Sequence, residues 1–229
     1  MRWLIGCESS GVIRRALRAR GHDAWSCDIL DAQDGSHHHL KCDVLTALHL
    51  DWDAAIFHPD CTYLTNSAAW AYKDPDYGRY PGVGYHQRIK PGTLVGEARR
   101  KAREEATAFA RALWTCQIPK VAIENPIGHL SRVLGRPTQT VQPNWFGDDA
   151  SKATCLWLRG LPPLQKTKIV PPRVVDGRPR WANQTDSGQN RLSPSDDRWS
   201  KRAETYPGIA EAIAEQWTPQ FNRLVRKTA

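Results

Sequence analysis

The chain has 229 residues with a net charge of +8, and 40% of its residues are hydrophobic. This size and composition are typical of one globular domain with its own core, so they exclude a disordered chain, and no apolar run approaches the ~20 residues of a membrane-spanning helix. The positive charge favours a polyanionic partner, nucleic acid first.

The beginning of the chain predicts a strand–helix–strand unit. The segment RWLIGC is typical of a short buried strand, and the turn ESSG that follows offers a helix cap at Ser9 or Ser10. VIRRALRAR has apolar residues at helical spacing with a basic outer face, and Gly21 is expected to end this helix. Asp23–Cys27 predicts a second strand that ends at Asp28.

The rest of the chain continues the alternation of strands and helices. The predicted strands are Asp53–His58, Lys120–Glu124 and Thr154–Leu158, and the predicted helices are Glu97–Cys116 and Ile209–Val225. Residues 72–91 predict a long loop, and residues 162–194 an irregular segment. This alternation predicts an α/β fold in which helices cover both faces of a parallel sheet.

Polar residues follow the predicted strands where these strands end. In parallel sheets, ligands bind at the carboxyl ends of the strands. The ESSG turn could hold the charged tail of a cofactor at a helix N-terminus, although its single glycine, Gly11, does not make a dinucleotide fingerprint. Asp28 is placed to bind ribose hydroxyls, and Asp43 to meet an adenine edge. Each residue alone also fits a turn or cap, but as an ordered set they favour a cofactor site.

Two further strand ends have groups suited to covalent chemistry. Cys61 follows a strand and the turn HPD, which would hold its thiol exposed at the sheet edge as a nucleophile. Glu124 ends a strand, where a carboxyl group can act as an acid or accept hydrogen bonds. The plainer alternatives are a small buried residue for Cys61 and a helix cap for Glu124. The other five cysteines, none of them in a CxxC pair, are expected to be reduced thiols without a chemical role.

Lys152 and Thr154 enter a predicted strand with polar side chains, where they could contact a substrate or only solvent. His37, His38 and His39 stand beside Cys42 and Asp43 and suggest a metal site at first sight. Consecutive strand residues point to alternate faces, however, and the set matches no standard ligand spacing. We therefore expect a loop near the cofactor site there, and no metal.

The order of these motifs resembles the DNA (cytosine-5)-methyltransferase family. That family has, in this order, a glycine-bearing turn, an acidic strand end, an adenine-binding Asp, a Pro-Pro-Cys loop and a Glu-Asn-Val triplet. The present chain has, in the same order, SSG, a strand-end Asp, Asp-Val, Pro-Asp-Cys and Glu-Asn-Pro. The runs KATCLWLRGLP and TYPGIAEAIAEQW look like the small, phage-type members. The resemblance implies a class I (Rossmann-like) methyltransferase sheet, a catalytic core over residues 1–160, and a target-contact segment with a closing helix over residues 161–229.

The resemblance also implies roles for individual residues. Cys61 would be the nucleophile and Glu124 the active-site glutamate. The residues that would bind S-adenosylmethionine are Glu8, Ser10, Gly11, Asp28, Asp43, Val44 and Pro59. Those that would contact the substrate are Asn125, Pro126, Lys152, Thr154, Arg173 and Arg178.

The implied reaction is methylation of cytosine carbon 5 in DNA. A thiolate that adds to carbon 6 makes carbon 5 nucleophilic, a carboxyl group near N3 stabilises the developing charge, and the target must first leave the duplex stack. The loop 66–90 could close over the flipped base with its aromatic side chains, which are Trp70, Tyr72, Tyr77, Tyr80 and Tyr85. We expect a cytoplasmic monomer in a bacterial or phage-infected cell, in a bacteriophage or restriction-modification setting.

Departures from the family pattern leave other functions open. Asp60 replaces the second proline and places a carboxylate beside the thiol, which could raise its pKa. Pro126 replaces valine, the family's arginine-bearing motif appears only as Lys152 and Thr154, and no large target-recognition region fits after Leu158. The alternatives are methyl transfer to a free cytosine nucleotide or RNA, and a catalytically silent nucleic-acid-binding relative.

Overall fold

The centre of the molecule is a sheet of mostly parallel strands. In the computed structural model, which describes residues 1–193, 195, 202 and 204–218, this sheet has seven strands in the order β3-β2-β1-β4-β5-β7-β6. They are β1 (Arg2–Gly6), β2 (Asp23–Asp28), β3 (His39–Lys41), β4 (Ala54–Phe57), β5 (Lys120–Pro126), β6 (Gln139–Val141) and β7 (Thr154–Arg159). β1 to β5 run parallel, whereas β7 is antiparallel to both β5 and β6. The prediction of a wholly parallel sheet is therefore wrong at one edge.

Helices cover both faces of this sheet. They are α1 (Val12–Ala19), α2 (Val44–Ala47), α3 (Gly96–Trp114), α4 (Leu130–Val133) and α5 (Pro207–Gln216), with 3-10 turns at Ala69–Tyr72 and Pro143–Trp145. α1 and α5 pack on one face, and α2, α3 and α4 on the other. The predicted α/β Rossmann-like fold is thus confirmed. In the described part of the chain, no helix combines the length and apolar character that a membrane crossing requires.

β4 shows how the two covered faces determine where side chains point. All four of its residues are buried, as expected for a strand with helices on both sides. Ala54 and Ile56 belong to the core beneath α1 and α5, and Ala55 and Phe57 to the core beneath α3. Because side chains alternate in this way, the residues just beyond each strand also have a defined face.

Two predictions for the C-terminal part need correction. Residues 162–194 are not wholly irregular, because β8 (Arg173–Val175) and β9 (Arg178–Arg180) form an antiparallel hairpin. Its turn is Asp176–Gly177, where both residues have positive φ, as Asp-Gly hairpins require. The predicted helix Ile209–Val225 is α5 as far as Gln216, and its part after Thr218 lies outside the described residues, as does Pro194.

The basic outer face predicted for α1 is wrong at Arg14, whose side chain is 1% exposed. Its Nη1 donates to Ser26 Oγ at 2.6 Å, and its Nη2 pairs with the Asp34 carboxylate, to which Arg15 also donates at 2.6 Å. Burial alone would raise the pKa of Asp34, but the hydrogen bonds from Arg14 and Arg15 outweigh it and lower this pKa to about 2. The ionised carboxylate therefore fastens the loop after β2 to α1.

This ion pair predicts a pH dependence of stability. Since the pKa of Asp34 in the folded protein lies below its ordinary 3.8, its charge stabilises the fold above pH 4, and this contribution disappears as the pH falls toward 2. Between pH 5 and pH 2 we expect the free energy of unfolding of the wild type to decrease by about 2 kcal/mol more than that of Asp34→Asn, measured by urea denaturation.

The matched control is Asp31→Asn, because the Asp31 carboxylate is 81% exposed and, within the described part of the chain, pairs only with Lys41 at the surface. It should keep the pH dependence of the wild type. Parallel pH curves for the wild type and Asp34→Asn would contradict the prediction.

Candidate functional site

The strand ends bring the predicted site residues to one edge of the sheet. β1 to β5 are parallel, so their carboxyl ends lie together. Glu8 follows β1, Asp28 ends β2, Asp43 follows β3, Cys61 follows β4, and Glu124 lies in the second half of β5. The sequence prediction that these residues share one edge is met by the topology of the sheet.

The Cys7 thiol lies among the carboxylates of this edge. Burial, together with the charges of Asp28, Asp43 and Asp60, raises the pKa of Cys7 to about 12. The ends of β2 and β3 and the loop after β4 thus each contribute a carboxylate whose charge acts on this thiol. Cys7 has φ 58, in the left-handed region, where the chain turns out of β1.

Gly11, and not Ser9 or Ser10 as predicted, occupies the cap position of α1. Its φ is 69, and a Cβ there would lie 2.2 Å from the Arg14 guanidinium, so only glycine fits without displacement. Ser10 still helps to close the turn, because its Oγ donates to Glu8 Oε1 at 3.0 Å.

Glu8 has a buried carboxylate that is only half satisfied. The residue is 6% exposed, and its Oε1 accepts hydrogen bonds from Ser10 Oγ and from the Ile13 N–H at 3.3 Å. Among the described residues its Oε2 is buried without a partner. A buried carboxylate oxygen needs a donor, so this position fits an ammonium or hydroxyl group of a ligand.

Asp28 and Asp43 each use one carboxylate oxygen to shape the backbone after a strand. Asp28 Oδ1 accepts from the Leu30 N–H at 3.0 Å. Asp43 Oδ1 accepts from the Leu45 N–H at 2.9 Å and caps α2, which begins at Val44. The capping alternative is therefore correct for Asp43. The second carboxylate oxygen of each residue makes no hydrogen bond with the described residues, so both residues remain suited to ribose or base contacts.

Glu124 faces His58, a residue that the sequence analysis did not select. His58 Nδ1 lies 3.1 Å from Glu124 Oε2, and the two side chains are 12% and 19% exposed. Burial alone would raise the pKa of Glu124, but the hydrogen bond with His58, together with Lys152 and Thr154, lowers it. The available signal was the position of His58 directly after β4, within the same HPDC motif as Cys61.

Cys61 is half-buried rather than exposed as predicted, and the charge of Glu124 acts on its thiol. Its pKa is raised by burial first and then by the charges of Asp60 and Glu124, whereas Lys152 lowers it. Asp60 Oδ1 accepts from the Thr62 N–H at 2.9 Å, so this carboxylate stays fixed at the turn that presents the thiol. The free protein therefore holds Cys61 as a thiol, and Lys152 favours its ionisation.

β7 brings Lys152 and Thr154 to the same edge because it runs antiparallel to β5. Thr154 is the first residue of β7 and pairs with Pro126, the last residue of β5. The Lys152 Nζ donates to the Arg202 carbonyl at 2.8 Å, which fixes the lysine against the C-terminal segment. Both predicted substrate residues thus stand next to Glu124.

Asn125 connects the two loops of the site. It is 1% exposed, and its Nδ2 donates to the Pro59 carbonyl at 2.8 Å. Gly128 forms a bridge with Thr65, and a Cβ on Gly128 would lie 2.1 Å from the Leu64 carbonyl oxygen. The loop that contains Cys61 is therefore braced against the end of β5 that contains Glu124, and substrate contact by Asn125 stays a prediction.

The loop after Cys61 is docked on α3 by arginines. Arg103 Nε donates to the Tyr63 carbonyl at 3.0 Å, its guanidinium lies 3.3 Å from the Tyr72 ring centre, and Arg100 Nη1 donates to the Tyr72 carbonyl at 2.9 Å. Of the aromatic residues predicted to close over a base, Tyr85 is 5% exposed and packs inside the loop. Tyr77 is 62% exposed.

The two predicted DNA-contact arginines of the hairpin differ in their surroundings. Arg173 pairs with Asp186 at 2.6 Å and donates to the Gln184 carbonyl at 2.9 Å, which braces the loop after β9. Arg178 is exposed, and its side chain makes no ion pair or hydrogen bond with the described residues. Arg178 is therefore the better placed of the two for a contact with DNA, and contact by either stays a prediction.

No family model matches the chain, and no curated protein matches it. The crystal structure of a DNMT2 mutant from Spodoptera frugiperda is similar, with 12% identity and a TM-score of 0.35, over 79% of this chain and 57% of that chain. The match thus spans little more than half the length of that protein.

The carboxylate of Asp60 predicts a measurable effect on the Cys61 thiol. Replacing Asp60 by Asn removes a charge that raises the pKa of Cys61, so a larger fraction is thiolate at pH 8. We expect iodoacetamide to alkylate Cys61 several-fold faster in Asp60→Asn than in the wild type, with the site identified by peptide mass spectrometry. Glu105→Gln, which removes an exposed charge on α3, should leave the rate unchanged. Equal rates in the wild type and Asp60→Asn would contradict the prediction.

Proposed function

We propose that this protein is an S-adenosylmethionine-dependent methyltransferase that acts on carbon 5 of cytosine in DNA. The observation that carries the proposal is that the Cys61 thiol and the Glu124 carboxylate, which interact electrostatically, lie at the sheet edge that also holds Glu8, Asp28 and Asp43. A thiol and a carboxyl group on either side of a pyrimidine ring are the two groups that this reaction requires.

The carboxylates at the ends of β1, β2 and β3 would hold the cofactor. Glu8 offers a buried oxygen that lacks a donor, which suits the ammonium group of the methionine part, with Ser10 and Gly11 beside it. Asp28 would bind the ribose, Asp43 and Val44 the adenine, and Pro59 would border the site. When bound, the cofactor supplies a methyl group on a positively charged sulfur atom.

Cys61 would attack carbon 6 of the flipped cytosine as a thiolate. The electron pair of the ring double bond then makes carbon 5 nucleophilic, and Glu124 stabilises the charge that develops at N3. After methylation, a base has to accept the carbon-5 proton; the electron pair of that C–H bond restores the double bond, and the sulfur of Cys61 leaves with the pair of the C–S bond. Lys152, which lowers the pKa of Cys61, favours the thiolate at the start of this sequence.

DNA is the proposed substrate because of the positive charge of the chain and the exposed arginine on the hairpin. A catalytically silent nucleic-acid-binding relative is the second candidate, and the observation that favours it is the charge of Asp60 beside the thiol. Free cytosine nucleotide and RNA are alternative substrates that the assay below separates. A monomer in the cytoplasm, in a bacteriophage or restriction-modification setting, remains our expectation.

Replacing the nucleophile tests the covalent mechanism. We expect Cys61→Ala to lose labelled-methyl transfer by about 1,000-fold or more while it binds the cofactor like the wild type, because the thiol acts in the reaction and not in binding. Transfer is measured in parallel on duplex DNA, RNA and dCMP. The control is Cys116→Ala, since Cys116 precedes β5 at the opposite edge of the sheet.

An oligonucleotide that contains 5-fluorocytosine should form a stable adduct with the wild type and with Cys116→Ala, but not with Cys61→Ala. Transfer that persists in Cys61→Ala would exclude the covalent mechanism. A wild type that binds DNA but neither transfers a methyl group nor forms an adduct would favour the silent relative.

The hairpin predicts a specific change in the salt dependence of DNA binding. If Arg178 contacts a phosphate, Arg178→Ala should reduce the slope of log affinity against log salt by about 1, because one fewer counterion is released. Binding is measured by fluorescence anisotropy at several salt concentrations. Arg111→Ala removes an exposed charge from α3 and should keep the slope of the wild type. Equal slopes for both variants would rule out a phosphate contact at Arg178.

A further inference from the structure

In the candidate site Glu124 forms a polar pair with His58, a residue that has no role so far in the proposed reaction. His58 Nδ1 lies 3.1 Å from Glu124 Oε2, with both side chains mostly buried. The other ring nitrogen of His58, Nε2, is buried and has no partner among the described residues. The imidazole therefore interacts with its surroundings chiefly through the nitrogen that faces the carboxylate.

The register of the sheet builds this contact. Phe57 of β4 is paired with Ile123 of β5, so His58 and Glu124, the next residues of each strand path, lie side by side. Both follow residues that face α3, and both therefore point to the face that α1 and α5 cover. A cavity of about 20 Å³, enough for one water molecule, is lined by both side chains on that face.

We propose that His58 is a positioning residue that donates its Nδ1–H to Glu124 and thereby keeps the second carboxyl oxygen, Oε1, for the pyrimidine N3. This inference rests on the proposed function. The proton that the Cys61 thiol releases is taken up by Oε1 of Glu124. As the sulfur bonds to carbon 6, this proton passes to N3 and the O–H electron pair stays on the carboxylate. The Nδ1–H of His58 stabilises that carboxylate. When the sulfur leaves, N3 returns the proton to Oε1.

Other groups also face Glu124, and the test has to separate them from His58. Lys152 and Thr154 line the same cavity as Glu124, from β7 and the residues before it, and the thiols of Cys61 and Cys155 interact with Glu124 only electrostatically. Lys152 favours the carboxylate through its charge, whereas His58 offers a directed hydrogen bond. Without this bond the pKa of Glu124 rises, so the acid form persists to higher pH but transfers its proton less readily.

Two replacements of His58 distinguish a hydrogen bond from simple packing. His58→Asn can place an amide N–H near the position of Nδ1, whereas His58→Leu fills the space without a donor. We expect His58→Leu to lose about 10- to 100-fold in kcat, the worth of a hydrogen bond to a charged group, with KM changed less than 3-fold. Its activity should decline at a higher pH than that of the wild type. His58→Asn should recover most of the rate.

Nuclear magnetic resonance of protein with ¹⁵N-labelled histidine provides a readout that does not depend on activity. The His58 signal, assigned by its loss in His58→Asn, should show the Nδ1–H tautomer at neutral pH, and Glu124→Ala should abolish this preference. An Nε2–H tautomer in the wild type would overturn the proposal, as would equal rates and pH profiles for the wild type and His58→Leu. A wild type that transfers no methyl group would instead overturn the proposed function, and the tautomer would still decide whether the hydrogen bond exists.

Discussion

The hydrogen bond from Asn125 to the Pro59 carbonyl holds the two halves of the candidate site together. It joins the loop after β4 to the end of β5 across 66 residues of sequence, at 2.8 Å and in the interior. Leaving a buried polar group without its partner costs free energy, so this bond fixes the loop after β4 relative to the end of β5. The close approach of Gly128 to Leu64 adds a second brace on the same side. The positions of Cys61 and Glu124 depend on these contacts, because neither residue lies on a rigid element shared with the other.

Although the chain as a whole is positively charged, several carboxylates lie together at one edge of the sheet. These carboxylates determine the electrostatics of the site. Asp28, Asp43 and Asp60 raise the pKa of the Cys7 thiol, and Asp60 and Glu124 do the same for Cys61. Such an edge favours a positively charged ligand and disfavours an ionised thiol. The proposed reaction needs both the positively charged cofactor and a thiolate, and the carboxylates favour the first but disfavour the second. The positive charge of Lys152 and the hydrogen bond between His58 and Glu124 counteract this effect of the carboxylates.

The sequence predicted the strand ends well, because a buried strand followed by polar residues is a local pattern. It could not predict the direction of β7, since TCLWL has no orientation of its own, and the edge of the sheet was therefore expected to be parallel. The Asp-Gly pair of the hairpin was a usable local signal that the prediction of an irregular segment overlooked. The burial of Arg14 depends on Ser26 and Asp34, whose positions no local pattern contains. His58 was missed for the same reason, because its partner lies on another strand.

The reversal of β7 also connects the C-terminal part of the chain with the chemistry at the sheet edge. Asn183, in the segment after the hairpin, exchanges hydrogen bonds with the backbone of Ser151 at 2.9 and 3.0 Å and donates to the Tyr206 hydroxyl at 3.3 Å. Ser151 precedes Lys152, whose ammonium group binds the Arg202 carbonyl. A polyanion bound at the hairpin would therefore act on the segment that positions Lys152, the lysine that lowers the pKa of Cys61. The segment after the hairpin and the backbone next to Lys152 are in this way joined through Asn183 and Ser151.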